Sequence, residues 1–170
     1  SMVQTLSDFF RASLNSGKDI VSLEGECRHI TSYLQIQQVR YQDILTYDVD
    51  IPEEIANCKI PKITLQPLVE NALYHGIKNK RGKGRIVVTG RREKDKCVIR
   101  VEDNGIGMTK ERLNQVRGGL TTKIEDSNDF YGLYNVNERI RLKFGEEYGL
   151  SIDSVLQEGT CVEVWLPWES

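Results

Sequence analysis

The chain has 170 residues, of which 39% are hydrophobic and 28% charged, with a formal net charge of −2. This is the composition of an ordinary globular domain, and a chain of this size buries roughly two-thirds of its unfolded surface. A slightly acidic balance excludes a dedicated nucleic-acid binder, which carries a net basic face. Cys27, Cys58, Cys97 and Cys161 are far apart in sequence, so no metal-ligand or redox-pair spacing exists. They read as buried free thiols of a reducing compartment. His29 and His75 are the two histidines, too few for a zinc set. No run approaches the ~18 apolar residues that cross a bilayer. Ser1-Met2 reads as a cloning remnant, which leaves room for a membrane anchor upstream.

In chain order, Val3, Leu6, Phe10 and Leu14 form an apolar stripe that predicts a helix, stopped by Ser16-Gly17. Ser22 is a candidate N-cap for a second helix. Along it Ile20, Leu23, Cys27, Ile30 and Leu34 recur at gaps of three and four, and Tyr41 follows a heptad later. That spacing suits either a helix packed on its own domain or half of a dimer bundle. From Leu45 the pattern alternates through Tyr47, Val49 and Ile51, a half-buried strand ended by Pro52. Leu65, Leu68, Val69, Ala72 and Leu73 then give one apolar helix face, expected to run to Gly76. Two strands follow, around Ile86–Thr89 and Cys97–Val101, with a turn at Lys94-Asp95-Lys96. A short helix is expected from Lys110 to Val116, and a mobile loop from Arg117 to Asp129. Leu133, Val136, Ile140 and Phe144 mark another helix, closed by Gly145, and two strands end the chain, near 150–156 and 161–166. Helices alternating with hairpin-joined strands predict an α+β sandwich, one sheet with helices on one face.

Four features carry candidate chemistry. On the helix from Leu65, Glu70, Asn71, Tyr74 and His75 project away from the apolar face, with Asn71 and His75 one turn apart. Such a face lines a polar cleft or is simply solvated; an amide oxygen is a hard ligand suited to Mg²⁺ shared with phosphates. At the end of a strand stands Asp103-Asn104-Gly105-Ile106-Gly107-Met108. A carboxylate there accepts a hydrogen bond from an exocyclic amine such as adenine N6, and glycines let the backbone approach a flat ring; the alternative is a tight Asn-Gly turn. Gly132-Leu133 opens a helix whose N–H groups favour phosphate. Gly159-Thr160 precedes the last strand, where the hydroxyl meets a base through water. Lys78, Lys80, Arg81 and Lys83 form a basic patch that is either a phosphate or partner surface or a solvated loop.

The order of these motifs resembles one family. Pro67-Leu68-Val69-Glu70-Asn71-Ala72-Leu73-Tyr74-His75-Gly76 is similar to the N box of the histidine-kinase, gyrase and Hsp90-type ATPases. Asp103 to Met108 resembles their G1 box, Tyr131 to Ile140 their G2 segment, and Gly159-Thr160 with Val162 their final Gly-Thr element. The Pro-Leu-Val-Glu-Asn and Asn-Val-x-Glu-Arg forms resemble bacterial sensor histidine kinases of the LytS/YesM type, from about Leu23 to Pro167. The resemblance implies a Bergerat-type ATP-binding fold: a two-layer sandwich with a mixed, mostly antiparallel sheet, preceded by a helical segment. Residues 1–43 would be the remnant of the dimerisation and phosphotransfer region, with its second helix at Ser22–Tyr41, and residues 44–170 the catalytic ATP-binding domain.

The same resemblance implies the roles. Asn71 coordinates Mg²⁺, and Glu70 polarises or deprotonates the nucleophile or orients a water. Asp103 binds the adenine amine, with Gly105, Ile106, Gly107 and Met108 along the ring and Thr160 supporting it. His75 lies near the phosphates or ribose, Tyr74 is among the nucleotide-binding positions, Gly132 and Leu133 close on the phosphates, and residues 117–129 form an ATP lid. Two positions depart from the pattern: Tyr74 stands where a basic residue is usual, and Phe130 where G2 usually has its first glycine. The phosphoacceptor histidine with its Phe-Leu-Tyr-Asn context is absent, and neither His29 nor His75 matches it. The chain is thus expected to bind Mg-ATP without phosphorylating itself. In the whole protein, the acceptor helix would lie upstream, a response regulator would receive the phosphoryl group, and a homodimer would sit at the cytoplasmic side of a bacterial inner membrane. The alternatives are a nucleotide-binding regulatory module and a serine kinase of the same superfamily; the helical run from Ile20 to Tyr41 argues against the latter.

Overall fold

In a computed structural model, the described residues are Thr5, 19–41, 44–77, 82–122 and 131–168; the side chains of His75 and Tyr131 fall outside the description, as do the predicted first helix (apart from Thr5), most of the basic patch and residues 123–130. The elements run β1 (Ile20–Ser22), α1 (Leu23–Arg40), β2 (Leu45–Asp50), a 3₁₀ turn (Glu53–Ile55), β3 (Lys59–Pro61), α2 (Leu65–Asn71) continuing as a π-helical turn (Ala72–Ile77), β4 (Gly84–Glu93), β5 (Lys96–Asp103), α3 (Lys110–Gly118), α4 (Tyr131–Phe144), β6 (Gly149–Val155) and β7 (Gly159–Pro167). The main sheet has the order β2-β4-β5-β7-β6. β2 pairs with β4 in parallel and the other neighbours are antiparallel. The expected α+β sandwich, with its mixed and mostly antiparallel sheet, is therefore the observed one.

The two faces of the sheet follow from period-two alternation. Ile86, Val88, Ile99, Val101, Val162, Val164 and Ile152 point into the core shared with Leu65, Leu68, Val69, Leu133, Val136 and Ile140 of the helices. The opposite face carries charge: Arg85 pairs with Asp48, Arg91 with Glu163 at 3.0 Å, and Arg100 with Glu102 at 3.2 Å. These exposed pairs contribute little stability. Burial of the apolar face against helices is the main term.

Ser22 caps α1 as its sequence implies, its Oγ accepting from the Gly25 N–H at 3.1 Å. The helix starts at Leu23, directly after that cap, and Ile20, which the apolar spacing had counted with it, lies in a strand, because Ile20–Ser22 pairs antiparallel with Lys59–Pro61. That small two-stranded sheet left no pattern long enough to read. On the α1 seam, Leu23, Cys27, Ile30 and Leu34 are buried in the same core as the sheet. The N-box helix is another departure. Its α-helical pitch ends at Asn71, so the one-turn stacking expected of residues 71 and 75 has no α-helical basis. Such π turns are rare and cluster at functional sites.

Candidate functional site

Three strands deliver polar groups to one end of the sheet. Asp103 is opposite Thr160 in the β5–β7 register, and Thr160 is opposite Ser154 in the β7–β6 register. Directly opposed residues share a face, so the three form a polar row beside the apolar row Val101–Val162–Ile152. Asp103 is buried, and its Oδ1 accepts from the Gly105 N–H at 2.8 Å. Ser154 Oγ lies 2.8 Å from Thr160 Oγ1, donates to Gly159 O at 2.9 Å and accepts from the Met108 N–H at 2.9 Å. With its one proton on Gly159 O, Ser154 accepts from the Thr160 hydroxyl. That joins the Gly105–Met108 loop to both terminal strands.

Glycine is required at two points here. Gly107 has φ +68, and a Cβ would stand 2.0 Å from Val155 O. Gly159 has φ +129, and a Cβ would stand 2.0 Å from Asp103 O. The loop therefore lies flat on the β6–β7 turn, held further by the Gln157 N–H donating to Ile106 O at 2.6 Å.

Opposite this row stands α2. Its first turn is capped from a distance: Thr64 makes no side-chain cap, and the buried Glu26 of α1 does so instead. Glu26 Oε1 accepts from the Ile63 N–H at 3.0 Å, and Oε2 from the Thr64 and Leu65 N–H groups at 3.1 Å each. Three orphan donors are satisfied by one carboxylate at the positive end of a helix. Ile63 has φ 58, a strained value for a β-branched residue. Arg139 of α4 holds the same turn, donating to Lys62 O at 2.9 Å and Ile63 O at 2.6 Å.

A narrow cavity of about 30 Å³ lies between the two walls, lined by Leu68, Asn71, Ala72, Val101, Asp103, Gly107, Met108, Leu133, Ile152, Thr160 and Val162. This is the volume of about one water. Of the residues singled out in sequence, the cavity brings together Asn71, Asp103, Gly107, Met108, Leu133 and Thr160. Gly105, Ile106 and Gly132 are close in chain to that lining without forming it. Glu70, half-buried, is on the same helix as Asn71, and its Oε1 accepts from the Gln66 amide at 2.9 Å. Tyr74 turns toward α1: burial, then the neighbouring Tyr74 and Glu70, push the Tyr33 phenol well above its ordinary pKa, and Tyr74 is its hydrogen-bond partner. A larger open concavity of about 1420 Å³ runs along α1 and the Glu53–Ile55 turn, and none of the candidate nucleotide residues lines it.

Sequence reasoning missed Glu26, Gln66, Ser154 and Arg139. Gln66 alone had a local signal, its i, i+4 relation to Glu70; the others act across long sequence separations.

A sheet with helices on one face and a cavity between an Asn-bearing helix and an Asp-Gly loop define a nucleotide-binding ATPase domain. The chain belongs to the histidine kinase-, DNA gyrase B- and HSP90-like ATPase family, whose model matches residues 61–170. A histidine kinase model matches residues 1–45. Its relatives include the sensor histidine kinases YesM of Bacillus subtilis, 36% identical over 98% of this chain, and BtsS of Escherichia coli, 34% identical over 98%. The sensor protein LytS of Staphylococcus saprophyticus is 35% identical over 97%. The chain spans 27% of the length of the first two and 28% of the third. Among solved structures, the histidine kinase domain of the Erythrobacter litoralis EL346 blue-light activated kinase superposes with a TM-score of 0.62 at 14% identity, covering 98% of this chain and 73% of that one. The catalytic domain of the histidine kinase ThkA gives 0.65 at 10%, covering 88% and 96%. These two likenesses speak for the fold.

Proposed function

We propose that this chain is the ATP-binding catalytic part of a two-component sensor histidine kinase, passing the γ-phosphoryl group of ATP to a histidine upstream and from there to a response regulator. The observation that carries the proposal is Asp103. It is a buried carboxylate at a strand end, with one oxygen bonded to the Gly105 N–H and its side chain lining a cavity across from Asn71. A carboxylate so placed accepts from the adenine amine and rejects guanine, which offers a carbonyl at that position. Gly105, Ile106, Gly107 and Met108 flank the ring and Thr160 supports Asp103.

Asn71 is the candidate Mg²⁺ ligand. It lines the cavity, and its amide oxygen is a hard donor suited to this cation. The metal, when bound, neutralises phosphate charge. The chain's own part is positioning. The acceptor imidazole nitrogen attacks the γ-phosphorus, the bond to the bridging oxygen breaks with its electron pair leaving on ADP, and Glu70 takes the N–H proton. Gly132 and Leu133, opening α4, are proposed to close on the phosphates, and His75 to stand near them.

Neither histidine of this chain is the acceptor. His29 is buried at 5% exposure and bonded to Gln66, out of reach of an incoming phosphate, and His75 stands within the N box. Autophosphorylation therefore needs the upstream helix, consistent with residues 1–43 as the remnant of a dimerisation region and with a homodimeric whole protein. We place the domain at the cytoplasmic side of a membrane-anchored sensor; among the described residues no helix is long and apolar enough to cross a membrane. The Tyr74–Tyr33 contact favours a second reading, a nucleotide-binding module without transfer, because it directs Tyr74 to α1. Incubating the chain with radiolabelled ATP and a separate fragment carrying the upstream helix decides. Acid-labile, base-stable phosphate on the fragment supports the kinase, and tight ATP binding without transfer supports the module.

A further inference from the structure

A hydrogen-bonded chain leads from α1 to the glutamate assigned above to proton transfer. His29 Nε2 lies 2.5 Å from Gln66 Oε1, and Gln66 Nε2 donates to Glu70 Oε1 at 2.9 Å. The directions are set by chemistry. Glu70 as a carboxylate accepts only, so the Gln66 amide must turn its NH₂ toward it. The amide oxygen then faces His29, whose Nε2 must carry a hydrogen. Rotating the amide by half a turn would set its oxygen against the carboxylate. His29 is buried, on a helix whose apolar seam belongs to the domain core, so the far end of the chain is anchored.

We propose that His29 and Gln66 are positioning residues for Glu70. The amide occupies Oε1 and leaves Oε2 as the proton acceptor, and His29 holds the amide in the one orientation that does this. Neither residue lines the nucleotide cavity. Their removal therefore changes the transfer step and leaves nucleotide binding alone. A second consequence follows from the anchoring. Glu26, one turn before His29, caps the start of α2, so displacement of α1 reaches Glu70 along both paths.

The proposal rests on the assignment of Glu70 and is tested beside it in the full-length kinase. Single-turnover autophosphorylation and Mg-ATP affinity are measured for Gln66→Met, His29→Phe, His29→Gln and Glu70→Gln. Gln66→Met and His29→Phe should slow transfer by about tenfold to a hundredfold, the penalty of a loosened reacting group. Their Mg-ATP affinity should stay within about twofold, the signature of an interaction used only in the transition state. His29→Gln, which keeps an N–H to donate, should recover most of the rate. A parent-like rate in both Gln66→Met and His29→Phe while Glu70→Gln is inactive would overturn the positioning role and leave the base assignment standing. A parent-like rate in Glu70→Gln would remove the base assignment and this proposal together. Loss of nucleotide binding in Gln66→Met and His29→Phe, or no recovery in His29→Gln, would mean a merely structural role.

Discussion

At the sheet end of the cavity, the side proposed for adenine, Asp103, Thr160 and Ser154 stand on three neighbouring strands, with the Gly105–Met108 loop bonded to both Asp103 and Ser154. At the helix end, the side proposed for the metal, Glu70 and Asn71 stand on a seven-residue helix that passes into a π turn at Ala72 and is capped by a carboxylate from α1. A sheet end is rigid because each strand is held by its neighbours' ladders. A helix of seven residues is marginal by itself and takes its place from tertiary contacts. The first end is suited to recognising an invariant base, and the second to following movements of α1.

Substitutions at the two ends test this contrast. The largest effect is expected for Gly159→Ala, which forces a Cβ onto the Asp103 carbonyl at φ +129. It should cost roughly 3 kcal/mol or more of stability, seen in chemical denaturation, and weaken ATP binding as well. Asp103→Asn should lower ATP affinity about a hundredfold by calorimetry, because an amide N–H then meets the adenine amine or the Gly105 contact is lost; unchanged affinity would sink the pocket assignment. Glu26→Gln leaves one oxygen for three N–H groups, two of them buried, and should cost about 2 kcal/mol. If the contrast holds, it weakens Mg-ATP binding more than adenosine binding. Asn71→Ala should reduce affinity about tenfold with Mg²⁺ and little in a chelator; an equal loss in both would place Asn71 outside metal binding.

The smallest effect near neutral pH concerns Cys27 on α1. Burial, then Glu26 and Glu24, push its thiol up from 9.0 to about 12. The folded state disfavours the thiolate, so this contribution to stability is complete below pH 9 and is lost as pH rises toward 12. Denaturation midpoints should be insensitive to this group up to pH 9 and fall above it, and Cys27→Ala should flatten the alkaline limb.

Much of this was legible in the chain itself. Alternation gave the strands of the main sheet, and the helical spacings gave α1 to α4 within a few residues, because both periods are local properties of the backbone. The resemblance of four motifs to one family implied that Asn71, Asp103, Gly107, Leu133 and Thr160 share a site, and the five line one cavity. Tyr74 stood among the nucleotide-binding positions that the resemblance implied; its hydrogen bond to Tyr33 depends on where α1 packs.

What periodicity and motif order determined by themselves was the class of fold, the sheet and the polar residues facing its cavity, since each depends on neighbours within a turn or a strand. Only the tertiary structure decided that α1 shares the core, that Glu26 caps a helix 39 residues away, that the N-box helix widens at Ala72, and that Ser154 and the His29–Gln66 chain hold the groups at either end. Those pairings join residues with no sequence relation, and hydrogen bonds at that separation exist only once the chain has closed around them.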